Sequence, residues 1–456
     1  MTTLTLPLKK DDPILATEPP VRIGIILEQD ATTEIPVMLP EGTTVRLGEG
    51  APVPVSGAAK IGVKSPTELT LVLADGAQPA TGALLTLAHP DSTAHPVEVQ
   101  GVVAGRGFHW EKRVTIRYSG ELEFRVQNGA IVMVNTLPLE DYLLGVVTSE
   151  MSGECPIAYI KAQAVAARAW LLAQPRPPHP GQPFLWCNDD CCQRYQGVDG
   201  WNDRARQGID ECRGEVLITA SGALCDARYS KSTGGISEDA HSVWPEDIEG
   251  LVAIPDAPKG SEVEHFFPVT DDNIVEYLTG DWLRGTDCFA SPNVVSEDSI
   301  TKYLGRVDEA GEYFRWRVPL THAQLAESLT NRGGLKDIGR ITDLVPLSRG
   351  RSGRLEQLRV EWKTPSGESR EAVIQSEYNI RAAMSSKFLF SSCFLIEDIA
   401  RGSDGAIESL TLVGGGWGHG AGLCQIGGLG RALKGQDYKT ILLHYFQGVT
   451  LEKLYA

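Results

Sequence analysis

Three clusters of side chains have residue types and spacings suited to chemistry. The first centres on Glu150, the penultimate residue of the run LPLEDYLLGVVTSEM at Leu137–Met151. An alanine-rich stretch follows it closely. A carboxylate there can serve as a general acid or base if it faces a cleft. It can also simply sit at the positive end of the following helix dipole, an effect of about 0.3–1 kcal/mol. Local pattern favours the dipole role, and Glu140, Asp141 and Glu154 compete for any catalytic assignment.

The second cluster is the glycine-dense run GGGWGHGAGLCQIGG at 414–428. No window in it places G-x-G-x-x-G after a strand, and Gly435 is followed by Gln436 rather than by a Walker lysine, which argues against a phosphate cradle. Two readings stay open. The loop either packs on itself, or forms a cleft wall whose small residues let a flat ligand approach the backbone. In the second case His419 and Gln425 are the polar groups that reach the ligand.

The third cluster is CNDDCCQRYQG at 187–197. Cys187, Cys191 and Cys192 could hold zinc if His179, His241 or His419 supplied a further ligand. A disulfide or ordinary buried thiols are the alternatives. The chain has nine cysteines, so at least one is unpaired within a monomer. Ser230–Gly235 (SKSTGG) reads as a turn with hydroxyls available. No G-x-S-x-G elbow and no H-E-x-x-H helix is present.

These clusters must be positioned by the elements around them. From Val21 to about Gln100, short apolar and β-branched runs bounded by Gly, Pro and Asp predict strands. Strands continue over 114–118, 122–126 and 131–134, with a tight hairpin at Gln127-Asn-Gly-Ala130. The period then changes. Ile157, Ile160, Ala164, Ala167 and Leu171 form a helical stripe, with Pro156 at its start and Pro175 beyond its end. Further helices are expected near 321–329, over 429–434, and after Asp437 as an N-cap; a hairpin is expected near 355–374. The fold class is α+β. Residues 1–20 read as a disordered lead-in and 21–105 as a β-rich domain. A mixed core over 106–256 and 377–456 is interrupted by an α+β insertion at 257–376.

A chain of 456 residues has room for one large domain or two to three modest ones. With 42% hydrophobic and 22% charged residues, it can build a core without disulfides or metal. A net charge of −17 argues against nucleic acid as a partner and against a polybasic membrane surface. No run approaches the roughly 18 apolar residues that span a bilayer, so no transmembrane segment is expected.

Taken in order, several motifs resemble the SpoIID/LytB family, which comprises stage II sporulation protein D and amidase-enhancer relatives. They are LPLEDYL at 137–143, Ser149-Glu-Met151, KAQAVAAR at 161–168, CQRYQG at 192–197, STGG at 232–235, GHGAGLCQ at 418–425 and LHYF at 443–446. The resemblance runs from about Gly107 to Pro255 and again from Tyr378 to Tyr455. It implies a SpoIID-like mixed catalytic core. Members resembling the sporulation protein are lytic transglycosylases, which cut MurNAc–GlcNAc bonds of denuded peptidoglycan glycan strands and leave 1,6-anhydro-MurNAc ends. The resemblance then places the catalytic acid and base on Glu150. Tyr195, Ser232, Thr233, Gly234, Gly235, His419 and Gln425 would line the substrate cleft. It also implies a structural zinc near Cys187, Cys191 and Cys192, with no cofactor needed for the chemistry. The enhancer relatives imply the alternative of a non-catalytic, peptidoglycan-binding enhancer of an N-acetylmuramoyl-L-alanine amidase. Expected partners are glycan strands and an amidase or other wall hydrolase. The substrate predicts the cell envelope or secretion. The first twelve residues do not read as a signal peptide, which keeps a cytoplasmic carbohydrate-processing role as a further reading. The sequence departs from the family at Cys424 and Ile426, where serine and tyrosine are common, and in the insertion.

Overall fold

Strand-forming patterns over the first 138 residues build two sheets around one apolar core, seen in a computed structural model that describes residues 7–107, 111–305, 308 and 311–456. The first sheet has seven strands in the order Trp186–Cys187, Pro20–Ile26, Ala130–Pro138, Glu121–Gln127, Leu84–Ala88, Thr44–Leu47 and Val53–Pro54. The second has six, from Lys112–Tyr118 at one edge to Ala80–Gly82 at the other. The Asn-Gly hairpin forms as expected. Gln127 pairs with Ala130, and Asn128 and Gly129 take the positive φ that this turn requires. Pro20–Ile26 pairs along Ala130–Pro138, so strands on both sides of residue 105 belong to one sheet. Residues 1–6 of the expected lead-in lie outside the described residues. The remainder of it packs, with Leu15 in the core.

Helix α1 (Leu139–Glu150) leaves the sheet directly from Pro138, and helix α2 (Ile157–Ala173) follows. Nearly every residue of both is buried, so neither presents the usual polar face. In α2 the alanines from Ala162 to Ala169 have no exposure, as close backbone packing demands.

A second apolar core lies apart from the first. Around it gather the strand Arg315–Thr321, the helix His322–Asn331, the three-stranded sheet over 340–375, the helix Glu377–Met384 and the strands Phe394–Arg401 and Ile407–Gly415. This second body extends past residue 376, because Ile380, Phe394, Leu410 and Leu412 complete the same core. The strand Arg315–Thr321 pairs with Ile407–Gly415, closing the body just before the glycine-rich loop. Among the described residues no helix is long and apolar enough to cross a membrane.

Candidate active site

Helix α1 carries Glu140 and Asp141 in its first turn, where negative charge favours the dipole. Glu150 occupies the opposite end, as the last helical residue. It is separated from α2 by the loop Met151–Pro156 and faces the negative end of its own helix. The dipole role suggested by local pattern therefore belongs to Glu140 and Asp141. Glu150 gains no such stabilisation where it stands.

Instead, Glu150 lines a cavity of about 1840 Å³ and is partly exposed to it. Three donors hold its carboxylate. The Arg194 backbone N–H reaches Oε1 at 3.0 Å, the Tyr229 hydroxyl donates to Oε1 at 3.3 Å, and Gln425 Nε2 donates to Oε2 at 3.1 Å. Each comes from a different part of the chain. Gln425 begins the helix Gln425–Leu433, just after Leu423–Cys424 pairs in parallel with Tyr229–Ser230. Lys231 Nζ donates to the Glu150 carbonyl at 2.8 Å and so braces the α1 terminus.

A second carboxylate, Asp308, stands beside this group. Lys231 Nζ and Arg194 Nη1 both reach it at 2.7 Å. Burial alone would raise its pKa, but the two cations outweigh that and hold it at about 2. Asp308 is thus a locked anion. Local sequence offered no signal for Arg194 or Asp308. Lys231 lay inside the SKSTGG run, read there only as a turn.

Tyr195 is fully buried and does not reach the cavity. Its hydroxyl donates to Asn135 Oδ1 at 2.8 Å. Its ring lies against α1 where Gly145 has no side chain; a Cβ there would be 2.4 Å from the ring. This seats the segment that carries Arg194 against Glu150. Tyr195 is a support for the site, in contrast with the expected cleft contact.

Ser232, Thr233, Gly234 and Gly235 likewise depart from the expected lining. Ser232 and Thr233 are buried, and the segment runs behind the cavity wall. Ser232 exchanges backbone hydrogen bonds with Trp417, and the Gly234 carbonyl accepts from Tyr277 and from Arg315 Nη1. The reason lies in Arg354, a fully buried cation contributed by the second body. Its guanidinium donates to the carbonyls of Ser232, Thr233 and Gly418 and to Ser352 Oγ. The glycine-rich loop wraps around it. Gly416 and Gly420 take φ of +77° and +81°, and a Cβ on Gly420 would lie 2.2 Å from Cζ of Arg354. At these two positions the small residues admit an arginine of the chain itself.

His419 and Gln425 do line the cavity. His419 Nε2 lies 3.0 Å from the Tyr229 carbonyl, and Nδ1 accepts from Ala421 N at 3.1 Å, which sets the tautomer with the proton on Nε2. Burial, together with Arg228, Arg381 and Arg354, pushes its pKa down to about 3, so the ring is neutral at working pH. Its role is to hold Tyr229, one of the donors to Glu150.

The thiol cluster gathers a fourth ligand. His179, Cys187, Cys191 and Cys192 place their donor atoms within 4.8 Å of one another. Cys187 Sγ and Cys191 Sγ are 3.1 Å apart, and Cys192 Sγ lies 3.4 Å from His179 Nε2. Mutual hydrogen bonds lower the Cys191 pKa and raise those of Cys187 and Cys192, so the three thiols share their protons unequally. A Cys3His set of this kind suits a tetrahedral metal. Of the three candidate histidines, His179 is the one brought in; His241 is solvent-exposed and His419 belongs to the cavity.

Residues 127–218, which include Glu150 and the thiol cluster, match the stage II sporulation protein family SpoIID. Residues 269–422 match a domain of unknown function, DUF8618. An uncharacterized protein of Brachyspira hyodysenteriae is 25% identical over 340 residues, covering 74% of this chain and 72% of its own. The amidase enhancer of Bacillus subtilis is 23% identical over 321 residues, 68% of this chain and 40% of the relative. Stage II sporulation protein D of Bacillus amyloliquefaciens is 25% identical over 134 residues, 26% of this chain and 39% of the relative. The chain therefore spans well under half the length of the two relatives that carry functional names. The SpoIID match over residues 127–218 and these two relatives, joined to the ordered motifs around Glu150, support a SpoIID/LytB assignment for the segment that carries the site.

Proposed function

We propose that the chain is a cell-wall protein that cleaves peptidoglycan glycan strands as a lytic transglycosylase, with Glu150 as its acid and base. The observation that carries this reading is Glu150 itself. It sits at the unfavourable end of α1, yet three converging donors aim it into a large cavity.

In the proposed reaction, protonated Glu150 donates to the glycosidic oxygen as the bond to MurNAc C1 breaks through an oxocarbenium-like state. The MurNAc C6 hydroxyl then bonds to C1 and gives its proton to the Glu150 carboxylate. The products are a free hydroxyl on the leaving sugar and a 1,6-anhydro ring. No water is consumed and Glu150 regains its proton. Ordinary glycosidases use two carboxylates. The ion-paired state of Asp308 supports the single-carboxylate scheme, because a carboxylate held by two cations is a poor proton donor and a poor base. Gln425 and Tyr229 orient Glu150. His419, being neutral, orients Tyr229.

His179, Cys187, Cys191 and Cys192 would hold a structural zinc that ties the Arg194 segment in place and takes no part in bond cleavage. Substrate and family both point to the cell envelope as the place of action.

The test is incubation with peptide-free glycan and mass analysis of the products. Anhydro ends that vanish in Glu150→Gln are expected, and reducing ends without anhydro rings would refute the scheme. The amidase enhancer relative, which aligns over 68% of this chain, favours a second reading. In that reading the protein binds peptidoglycan without cutting it and stimulates an amidase. It predicts stimulation that survives Glu150→Gln.

A further inference from the structure

The cavity at Glu150 is larger than the roughly 300–1,000 Å³ typical of a small-molecule site. Its volume of about 1840 Å³ suits an extended ligand. The SpoIID-matched segment supplies only part of its wall. Residues of the second body, among them Tyr378, Arg381, Lys387 and Phe390, open onto the same space. They belong to the segment matched by a domain of unknown function, to which no role is attached.

The chemistry of this wall is specific. Phe390 stacks on Trp417, with ring centroids 4.2 Å apart and an interplanar angle of 25°, and both rings line the cavity. Tyr378 lies against Phe388 at 5.0 Å and is 57% exposed, unusual for a large ring. Arg381 packs over Phe388 at 4.5 Å and pairs with Glu377 at 3.4 Å. Lys387 is exposed and has no ion pair among the described residues. Flat rings edged by charged donors and acceptors match a pyranose, which has an apolar face and a rim of hydroxyls. The lysine suits the lactyl carboxylate that each MurNAc carries on a strand without peptides. The wall is also preorganised. Arg354 ties the second body to the loop that carries Trp417 and His419, so its position relative to Glu150 is fixed without ligand.

We infer that the second body forms a saccharide-binding wall, with subsites at Phe390 and Tyr378 for sugars of the strand remote from the bond cut at Glu150. The inference rests on the proposed glycan-strand function and adds where the strand lies. It makes the second body a selector for long strands.

Binding is measured by calorimetry in the Glu150→Gln background, which prevents turnover, using a peptide-free disaccharide and long peptide-free strands. The parent should bind long strands more tightly than the disaccharide. Tyr378→Ala and Phe390→Ala should each weaken long-strand binding by about fivefold or more and leave disaccharide binding unchanged. If Phe390→Ala fails to fold, Tyr378→Ala and Lys387→Glu, both at exposed positions, carry the test. Unchanged long-strand affinity in these variants would overturn the wall assignment. So would intact glycan binding with lost binding to an amidase, which would make the wall a protein contact. A parent that binds no glycan of any length would instead sink the functional reading on which the wall depends.

Discussion

Two glutamates at opposite ends of α1 should respond in opposite ways to the same substitution. Glu140 is buried, with about 1% of its surface exposed. It accepts from Arg168 Nε at 3.0 Å and Nη2 at 2.5 Å, and from the Tyr455 hydroxyl at 2.5 Å. Arg168 is equally buried, so Glu140→Gln leaves an uncompensated cation inside the protein. Breaking one side of a buried pair costs about 3–5 kcal/mol. Glu150→Gln keeps one acceptor oxygen and removes a negative charge from the wrong end of a helix dipole. The dipole term alone returns about 0.3–1 kcal/mol, against hydrogen bonds weakened by a similar amount. The net change should be near zero, with a gain in stability within reach. Urea unfolding midpoints of the two variants, read beside cleavage of peptide-free glycan, test both claims. Glu140→Gln should lose stability, and residual folded protein should still cut. Glu150→Gln should keep the wild-type midpoint and lose cleavage. A Glu150→Gln midpoint that falls as far as that of Glu140→Gln would refute the argument, because it would make Glu150 a structural carboxylate.

Metal analysis of the purified chain should find zinc that is lost on Cys187→Ser or His179→Ala, and thiol titration should show Cys191 protected until a chelator is added. Arg354→Lys should cost several kcal/mol in urea unfolding, because an ammonium cannot reach the Ser232, Thr233 and Gly418 carbonyls together; a near-neutral result would remove Arg354 as the link between the bodies. His419 has its pKa lowered to about 3, so below the unfolded value near 6.5 the unfolded chain binds a proton that the folded chain does not. Its contribution is therefore complete above pH 6.5 and is lost as pH falls toward 3, at up to about 1.4 kcal/mol per pH unit. His419→Gln should flatten that part of the stability–pH curve, and an unchanged slope would contradict a buried neutral ring.

The parts of the fold legible in sequence were those with local signals. The Asn-Gly hairpin, the alanine stripe of α2 and the Asp437 N-cap, whose side chain accepts from Thr440 N, all formed where expected. Helix α1 was not recognised as a helix. It is buried on all sides and contains Gly145, Val146 and Val147, so it has neither an amphipathic stripe nor strong propensity. The thiol cluster named its three cysteines, but the choice among three histidines needed the fold. Sequence placed Glu150 beside the wrong helix terminus, because Pro156 marked where α2 begins while nothing marked the helix that ends at Glu150.

The least legible feature was also the one that organises the site. SKSTGG and the glycine-rich loop read as two turns nearly two hundred residues apart, each suited to touching a ligand. Their shared reason is a third segment, Gly350–Arg354, that enters from the second body. Gly350 leaves room for the buried Glu238, whose carboxylate accepts from Ser352 N and Oγ, and Arg354 fills the space between the two turns. Glycine was thus selected at Gly416 and Gly420 by a side chain remote in sequence, which no local motif can reveal. The same arrangement fixes Trp417, His419 and, through the short parallel pairing of Tyr229–Ser230 with Leu423–Cys424, both Tyr229 and Gln425 on Glu150. A segment that first reads as an insertion therefore cannot be removed without loosening the donors on Glu150. Deletion of the second body should abolish cleavage even though none of its residues bonds Glu150.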